Sequence, residues 1–258
     1  MAVWSSWRLV VSEPADSFAN MAVEESVMEH VSMGLSPPTL RFFRWSVPAV
    51  VIGAQQRVHE VVDVELCREK GIQICRRMSG GGAVFKDPEG ELNYSLVVPR
   101  GMPPLPDDDL AIHPLMVGIL VEGFARLGVA ASFSGTNDVV VGGKKISGNA
   151  QSVRRGVLLY HGTILLKVDR ERMFEPLRVP QEKSERHGLK DPKLRVTSLE
   201  ECLGRVLPLE EVVEAFSSAF SAFFGFPFER GSLSDPERER AKELYCKYSD
   251  EGWIFSLP

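Results

Sequence analysis

Apolar residues recur at helical spacing near the start of the chain and over its last quarter, and fall into short strand-like blocks between. Residues 7–11 read as a strand. Asp16 or Ser17 then offers an N-cap to a helix carrying Phe18, Met21, Ala22, Val27, Met28 and Val31, closed by Gly34 and the Pro37, Pro38 pair. Residues 39–45 and 49–52 are strands separated by Pro48, 55–58 is loop, and 62–70 is a short helix stopped by Gly71. Apolar strand runs at 72–75 and 92–98 flank a glycine triplet. A helix follows at 115–127, with Pro114 in its first turn, His113 or an upstream Asp as cap and Gly128 as stop. Short strands come next at 129–133, 139–141, 144–147 and 157–166, and Gly142, Gly143 have the composition of a two-residue hairpin turn. A charged loop at 184–195 precedes a helical end at 199–203, 209–224 and 236–248, with an apolar tail at 253–255.

The strands are not regularly separated by helices as a doubly wound fold requires. The pattern predicts one α/β (α+β) domain over residues 1–258, with mixed, largely antiparallel sheets packed by helices. A net charge of −5 gives no general affinity for nucleic acid, so any basic surface is local, as at Arg76, Arg77, Lys144, Lys145, Arg154 and Arg155. No apolar run approaches a membrane span and the start lacks the pattern of a signal peptide, which predicts a cytoplasmic protein. Four scattered cysteines, Cys67, Cys75, Cys202 and Cys246, form no C-x-x-C pair and suggest neither a structural metal nor a disulfide framework.

Three stretches carry candidate chemistry. Residues 76–85 place Arg76, Arg77, Ser79 and three glycines between strands, where bare backbone N–H groups can approach an anion; a tight turn or bulge accounts for the same residues. A strand follows these glycines, which excludes a dinucleotide fingerprint. In the second stretch, Asn137 and Asp138 lead to Lys144 and Lys145, of which strand alternation turns one toward any given pocket, with Ser147 on the face of Lys145. Both lysines as solvated hairpin-tip charges is the plain alternative. The third is His161 within the apolar strand 157–166, either facing a site or half-buried and satisfied.

Taken together, residues 76–85, the Leu92-Asn93-Tyr94-Ser95 run, Asn137-Asp138, Lys145 to Gly148 and His161-Gly162-Thr163 resemble, in order and spacing, the lipoate-protein ligase A family, relatives of biotin-protein ligases and octanoyltransferases. Asn20 to Ala22 with Glu24-Glu25, Trp45 to Gly53, Arg195 to Thr197 and Lys247 to Ser249 with Trp253 extend the likeness over nearly the whole chain. The resemblance implies the biotin/lipoate ligase catalytic-domain fold, in a short form without a C-terminal accessory domain. It implies that lipoate is activated by ATP with Mg²⁺ to lipoyl-AMP and pyrophosphate. The lipoyl group then passes to a lysine of lipoyl domains, in 2-oxoacid dehydrogenase E2 subunits or glycine cleavage H protein, with a separate small accessory protein as a possible partner. Lys145 is the implied catalytic residue. Arg77, Gly82, Ala83, Val84, Phe85, Asn137, Asp138 and Lys145 would bind ATP or lipoyl-AMP, Ser79, Gly80, Gly81, Lys145 and His161 would bind lipoate, and Asp138 would meet the metal. Lys86-Asp87 stands where these ligases usually carry His-Asp, and a position that is Arg in some of them is, by spacing, Ser152, with Arg154 nearby. The rivals are an octanoyl or lipoyl transferase of the same fold and a non-catalytic lipoate or lipoyl-domain binder. The transferase route uses a cysteine nucleophile, and residues 132–143 and 184–193 contain none.

Overall fold

The computed structural model describes residues 6–135, 137–178 and 192–257; Thr136 and most of the charged stretch 184–195 lie outside the described residues. In chain order the elements are β1 (Trp7–Val11), α1 (Ser17–Ser32), β2 (Thr39–Phe43), β3 (Ala49–Ile52), α2 (Val58–Val61), α3 (Val64–Glu69), β4 (Gln73–Arg76), β5 (Val84–Lys86), β6 (Glu91–Pro99) and α4 (Asp109–Arg126). There follow β7 (Ser132–Ser134), β8 (Asp138–Val141), β9 (Lys144–Arg154), β10 (Val157–Leu165), α5 (Arg170–Phe174), a 3-10 turn at Pro192–Arg195, α6 (Leu199–Leu203), α7 (Leu209–Phe224), β11 (Phe228–Gly231), α8 (Asp235–Ser249) and α9 (Glu251–Ile254).

Eight strands form one mixed sheet in the order β11-β1-β2-β6-β10-β9-β8-β7, and β4-β3-β5 form a second, smaller sheet. β1 runs parallel to both of its neighbours, and the remaining pairings of the large sheet are antiparallel. The expected fold class therefore stands. One face of the large sheet is covered by α4 and α7. There Gly123 allows the Phe216 ring so close that a Cβ would sit 2.5 Å from it, and Phe216 meets Phe124 edge-on at 5.0 Å. The opposite face packs against α1, α8 and the small sheet, through Met21, Val27, Met28, Cys75, Met78, Val97, Leu159 and Tyr248.

Helix starts follow the capping residues in the sequence. The Asp16 carboxylate accepts from the Ala19 N–H, and Ser234 and Glu237 close a reciprocal capping box on α8. α4 begins earlier than its apolar run suggests, because Asp108 caps it and leaves Pro114 inside the helix rather than in its first turn. Residues 228–231 show no strand pattern. They are mostly exposed and become β11 only by pairing with β1.

Candidate active site

Cross-strand partners project from the same side of a sheet. The pairings Asp138–Gly148, Gly148–Thr163, Thr163–Asn93 and, one row along, His161–Ala150, His161–Ser95 and Ser95–Arg41 therefore put Asp138, Thr163, Asn93, His161, Ser95 and Arg41 on one face. This is the face roofed by the small sheet, as the bonds from Lys86 of β5 to Asn93 and Thr163 show.

Lys145 reaches the same face through a bulge. The register shifts between Val139 and Val140, so Val140 pairs with Lys145 while Val139 pairs with Ser147. Ser147 accordingly points to the helix-packed side, fully buried and 3.3 Å from Asn149 Oδ1, which corrects the alternation-based expectation that it shares the face of Lys145. The Lys145 side chain lies across Gly148, where a Cβ would come within 2.5 Å of its Cε and Nζ. Its Nζ sits 2.7 Å from Asp138 Oδ1, with each side chain about one-third exposed. The Lys145 carbonyl accepts from the Thr197 N–H at 2.9 Å. Lys144 is exposed at the hairpin tip formed by Gly142 and Gly143, whose φ values of 56° and 78° require glycine.

The glycine loop is shaped from beneath by arginine. Arg77 is buried; its Nη2 donates to Gly80 O at 2.6 Å and Gly82 O at 2.9 Å, its Nη1 to Val51 O at 3.0 Å and its Nε to Ser79 Oγ at 3.0 Å. Burial pulls its guanidinium down to about 10, against the opposing charge of Glu24. The expected phosphate contact would thus have to draw on a guanidinium already committed to loop carbonyls. Arg76, also buried, ties the carbonyls of Gly53, Ala54 and Gln56 to those of Trp253 and Ile254. With the loop carbonyls of Gly80 and Gly82 drawn inward, the N–H groups of residues 80–83 meet no acceptor among the described residues, and Gly80, Gly81 and Gly82 are exposed. Gly53 is glycine for contact: a Cβ there would lie 2.1 Å from Gly81 O.

The other expected residues divide. His161 is buried at the site, its Nε2 2.6 Å from Ser79 Oγ and its Nδ1 3.0 Å from Glu24 Oε2. Val84 and Phe85 have entered β5, and the Phe85 side chain belongs to the core of the small sheet. Asn137 turns its amide to Asn149 O, and Asn149 Nδ2 returns a bond to Asn137 O at 2.9 Å, so the pair clamps the loop leading to Asp138. Ser152 lies on β9, and the exposed Arg154 reaches Met78 O at 3.1 Å, at the threshold of the glycine loop. No group of three His, Cys, Asp or Glu side chains that could hold a metal occurs among the described residues. A Mg²⁺ ion needs only one or two carboxylates when substrate phosphates complete its shell, and Asp138 fits that limited role.

Sequence reasoning found Lys145, Asp138, His161 and Ser79 but gave no role to Glu24, Asn93, Asn149 or Thr163. It marked Lys86 only as a departure. Lys86 is buried, 2.8 Å from Asn93 Oδ1 and 3.3 Å from Glu91 Oε1, and it holds Asn93 and Thr163 in place on the site floor. Burial lowers its amine, with Glu91 opposing. A Lys between Phe85 and Asp87 carries no signal of its own burial in sequence, so only the folded pairing reveals it.

This fold, a large mixed sheet roofed by a small one, is shared with solved lipoate-protein ligases. A chain from the structure of a bi-partite lipoate protein ligase and its E2 lipoyl domain, from Thermoplasma acidophilum, superposes with a TM-score of 0.85 at 30% identity, covering 99% of this chain and 98% of that one. A lipoate-protein ligase A bound with ATP superposes at 0.84 with 28% identity, over 98% and 100% of the two chains. Residues 16–221 match the family model of the lipoyl protein ligase A/B catalytic domain, and the chain belongs to that family. Among curated relatives, octanoyltransferase LipM of Kyrpidia tusciae is 34% identical, covering 97% of this chain and 98% of its own length. Octanoyltransferase LipM of Geobacillus kaustophilus is 31% identical over 96% and 98%.

Proposed function

We propose that this chain transfers an octanoyl or lipoyl group to the lysine amine of a lipoyl domain. The observation that carries the reading is the Lys145 ammonium, held by Asp138 over Gly148 on the sheet face that the small sheet and its glycine loop roof. Acyl transfer turns a planar carbonyl into a tetrahedral oxyanion, and a fixed cation with adjacent N–H donors stabilises that charge as it forms. The octanoyltransferase relatives support an octanoyl thioester as donor. The acceptor amine attacks the thioester carbonyl, the tetrahedral intermediate collapses with loss of the thiolate, and the amine proton leaves with it to the solvent-exposed side of the site.

The expected reading, an ATP-dependent lipoate ligase, keeps one specific observation in its favour: the chain's thiols are elsewhere. Cys75 is fully buried and its thiol is pushed far up by burial, and burial also raises Cys67 to about 11. Cys202 packs against the helix-side core and Cys246 is exposed on α8. On this reading the glycine-loop N–H groups and Lys145 would receive the ATP phosphates and the lipoate carboxylate. Asp138 would hold Mg²⁺, which neutralises phosphate charge when bound. Transfer without a thiol at Lys145 would pass directly from donor to acceptor, without an enzyme thioester.

The deciding assay presents apo lipoyl domain from an E2 subunit or an H protein in two mixtures. One contains octanoyl-carrier protein without ATP; the other contains lipoate, ATP and Mg²⁺, with and without a small accessory protein. Octanoylation in the first mixture, read by intact mass, is the expected result. A gain confined to the second replaces it with the ligase reading. No gain in either overturns both and leaves a protein that binds without catalysis.

A further inference from the structure

Three buried side chains from distant parts of the chain form a continuous line into the glycine loop. Glu24 of α1 is 2% exposed and places both carboxylate oxygens 3.0 and 3.1 Å from His161 Nδ1. His161 of β10 presents its Nε2 2.6 Å from Ser79 Oγ. Ser79 is 1% exposed, also receives the Arg77 Nε–H, and its carbonyl accepts the Ala54 N–H at 2.9 Å. The carboxylate faces His161 Nδ1, which fixes that nitrogen as the donor and leaves Nε2 to accept the Ser79 hydroxyl proton. The Ser79 hydroxyl can then accept from Arg77 while donating to His161, so its orientation is set from both sides.

We propose that Glu24, His161 and Ser79 act as a positioning relay that holds the glycine loop at a fixed height over Lys145. Ser79 is the residue immediately before Gly80, and the loop bears the free N–H groups. His161 and Thr163 lie two apart on one strand face, and Thr163 pairs with the Gly148 that Lys145 crosses. His161 therefore lies within about 10 Å of Gly148, the residue that Lys145 crosses, two residue spacings along a strand and one cross-strand step away. Glu24 hydrogen-bonds neither the loop nor Lys145; it reaches the site through His161 and through its charge opposite Arg77. The consequence for catalysis rests on the acyl-transfer reading, whereas the effect on the loop does not.

The test separates the two. Hydrogen exchange at the amides of Ala54 and Arg77, which bond across the loop base to Ser79 O and Ile52 O, is followed in wild type, Glu24→Ala, Glu24→Gln and Ser79→Ala. Loss of the relay is expected to speed both amides by about tenfold, the scale of one hydrogen bond, in Glu24→Ala and Ser79→Ala. Glu24→Gln, which keeps an acceptor for His161 Nδ1, stays close to wild type. Faster exchange in α1 alone, with the loop amides unchanged, would overturn the relay and reduce Glu24 to a packing residue. Should Glu24→Ala fail to fold, Ser79→Ala decides alone, and unchanged loop exchange there overturns the proposal. In the transfer assay the double variant Glu24→Ala/Ser79→Ala should lose no more kcat/KM than either single variant, since either break disconnects the line; additive losses sink it. A wild-type protein that transfers no acyl group refutes the functional reading, while the exchange data still judge the relay.

Discussion

At the scale of single residues, the site turns on two lysines in opposite circumstances. Lys145 is an amine about one-third exposed and held by one carboxylate. Its replacement by Ala is expected to lower acyl transfer by roughly 10²-fold or more, the cost of losing one preorganised charge donor. Lys144→Ala, at the exposed tip, should leave the initial rate within about twofold, because surface substitutions away from such features have small effects. Lys86 is a buried amine whose bonds all stay within the protein, to Asn93, Thr163 and Glu91. Lys86→Met strands the Glu91 carboxylate, which burial already raises, and should cost about 3 kcal/mol of stability in urea unfolding. Lys86→Met/Glu91→Leu, which removes both charges, should recover most of that loss. If the double variant proved no more stable than the single one, the pair would not be the reason Lys86 matters. Charge and residue type marked Lys145 in the sequence, but the bulge that carries it onto the site face is a register event between two strands, and no local pattern announces it.

At the scale of elements, the glycine loop is a backbone device, and its sensitivity should follow contact rather than glycine count. Gly53 belongs to the neighbouring strand end, yet its Cβ position is occupied by Gly81 O. Gly53→Ala should push the loop off the sheet and cut transfer at least tenfold, a displacement of about 1 Å near a reacting centre being enough. Its thermal unfolding should fall by only a few degrees, because no core side chain is lost. A variant with wild-type transfer kinetics would show that the loop tolerates displacement. Most elements were legible because caps and apolar spacing agreed: α1, α7, α8, β3 and β6 fall within a few residues of their expected spans. By pattern alone β5 falls within the loop, because its three residues carry no alternation of their own. The pattern ends β9 at residue 147, since Gly148, Asn149 and Gln151 weaken any strand signal, and pairing with β10 carries the strand on to Arg154.

At the scale of the whole molecule, the sequence pattern established the class of fold but not its division into two facing sheets, since which strands pair depends on contacts far apart in the chain. One such contact closes the structure. Arg8 of β1 donates to both oxygens of Glu237 on α8, at 2.7 and 2.6 Å, and Ser36 Oγ and the Ser234 N–H donate to the same carboxylate at 2.7 Å each. Burial by itself would raise the Glu237 carboxyl, but the bonds from Arg8, Ser234 and Ser36 outweigh it and hold the group at about 2 rather than 4.5. A carboxyl depressed on folding contributes stability that is complete above its unfolded value and disappears as the pH falls through its folded one. Glu237 should therefore supply on the order of 3 kcal/mol at neutral pH that fades between about pH 4.5 and 2. Glu29, lowered first by its hydrogen bond from Arg240, and Glu201, lowered first by that from Arg170, lose stability in the same direction over the acid range. Unfolding free energies measured in urea from pH 6 down to pH 2.5 should fall steeply for the wild type. For Glu237→Gln they should start lower and fall less, with the residual slope coming from the other two carboxylates. Parallel curves for the two proteins would show that Glu237 is not held in its charged form by Arg8, and that the tie between the first strand and the last long helix rests on packing instead.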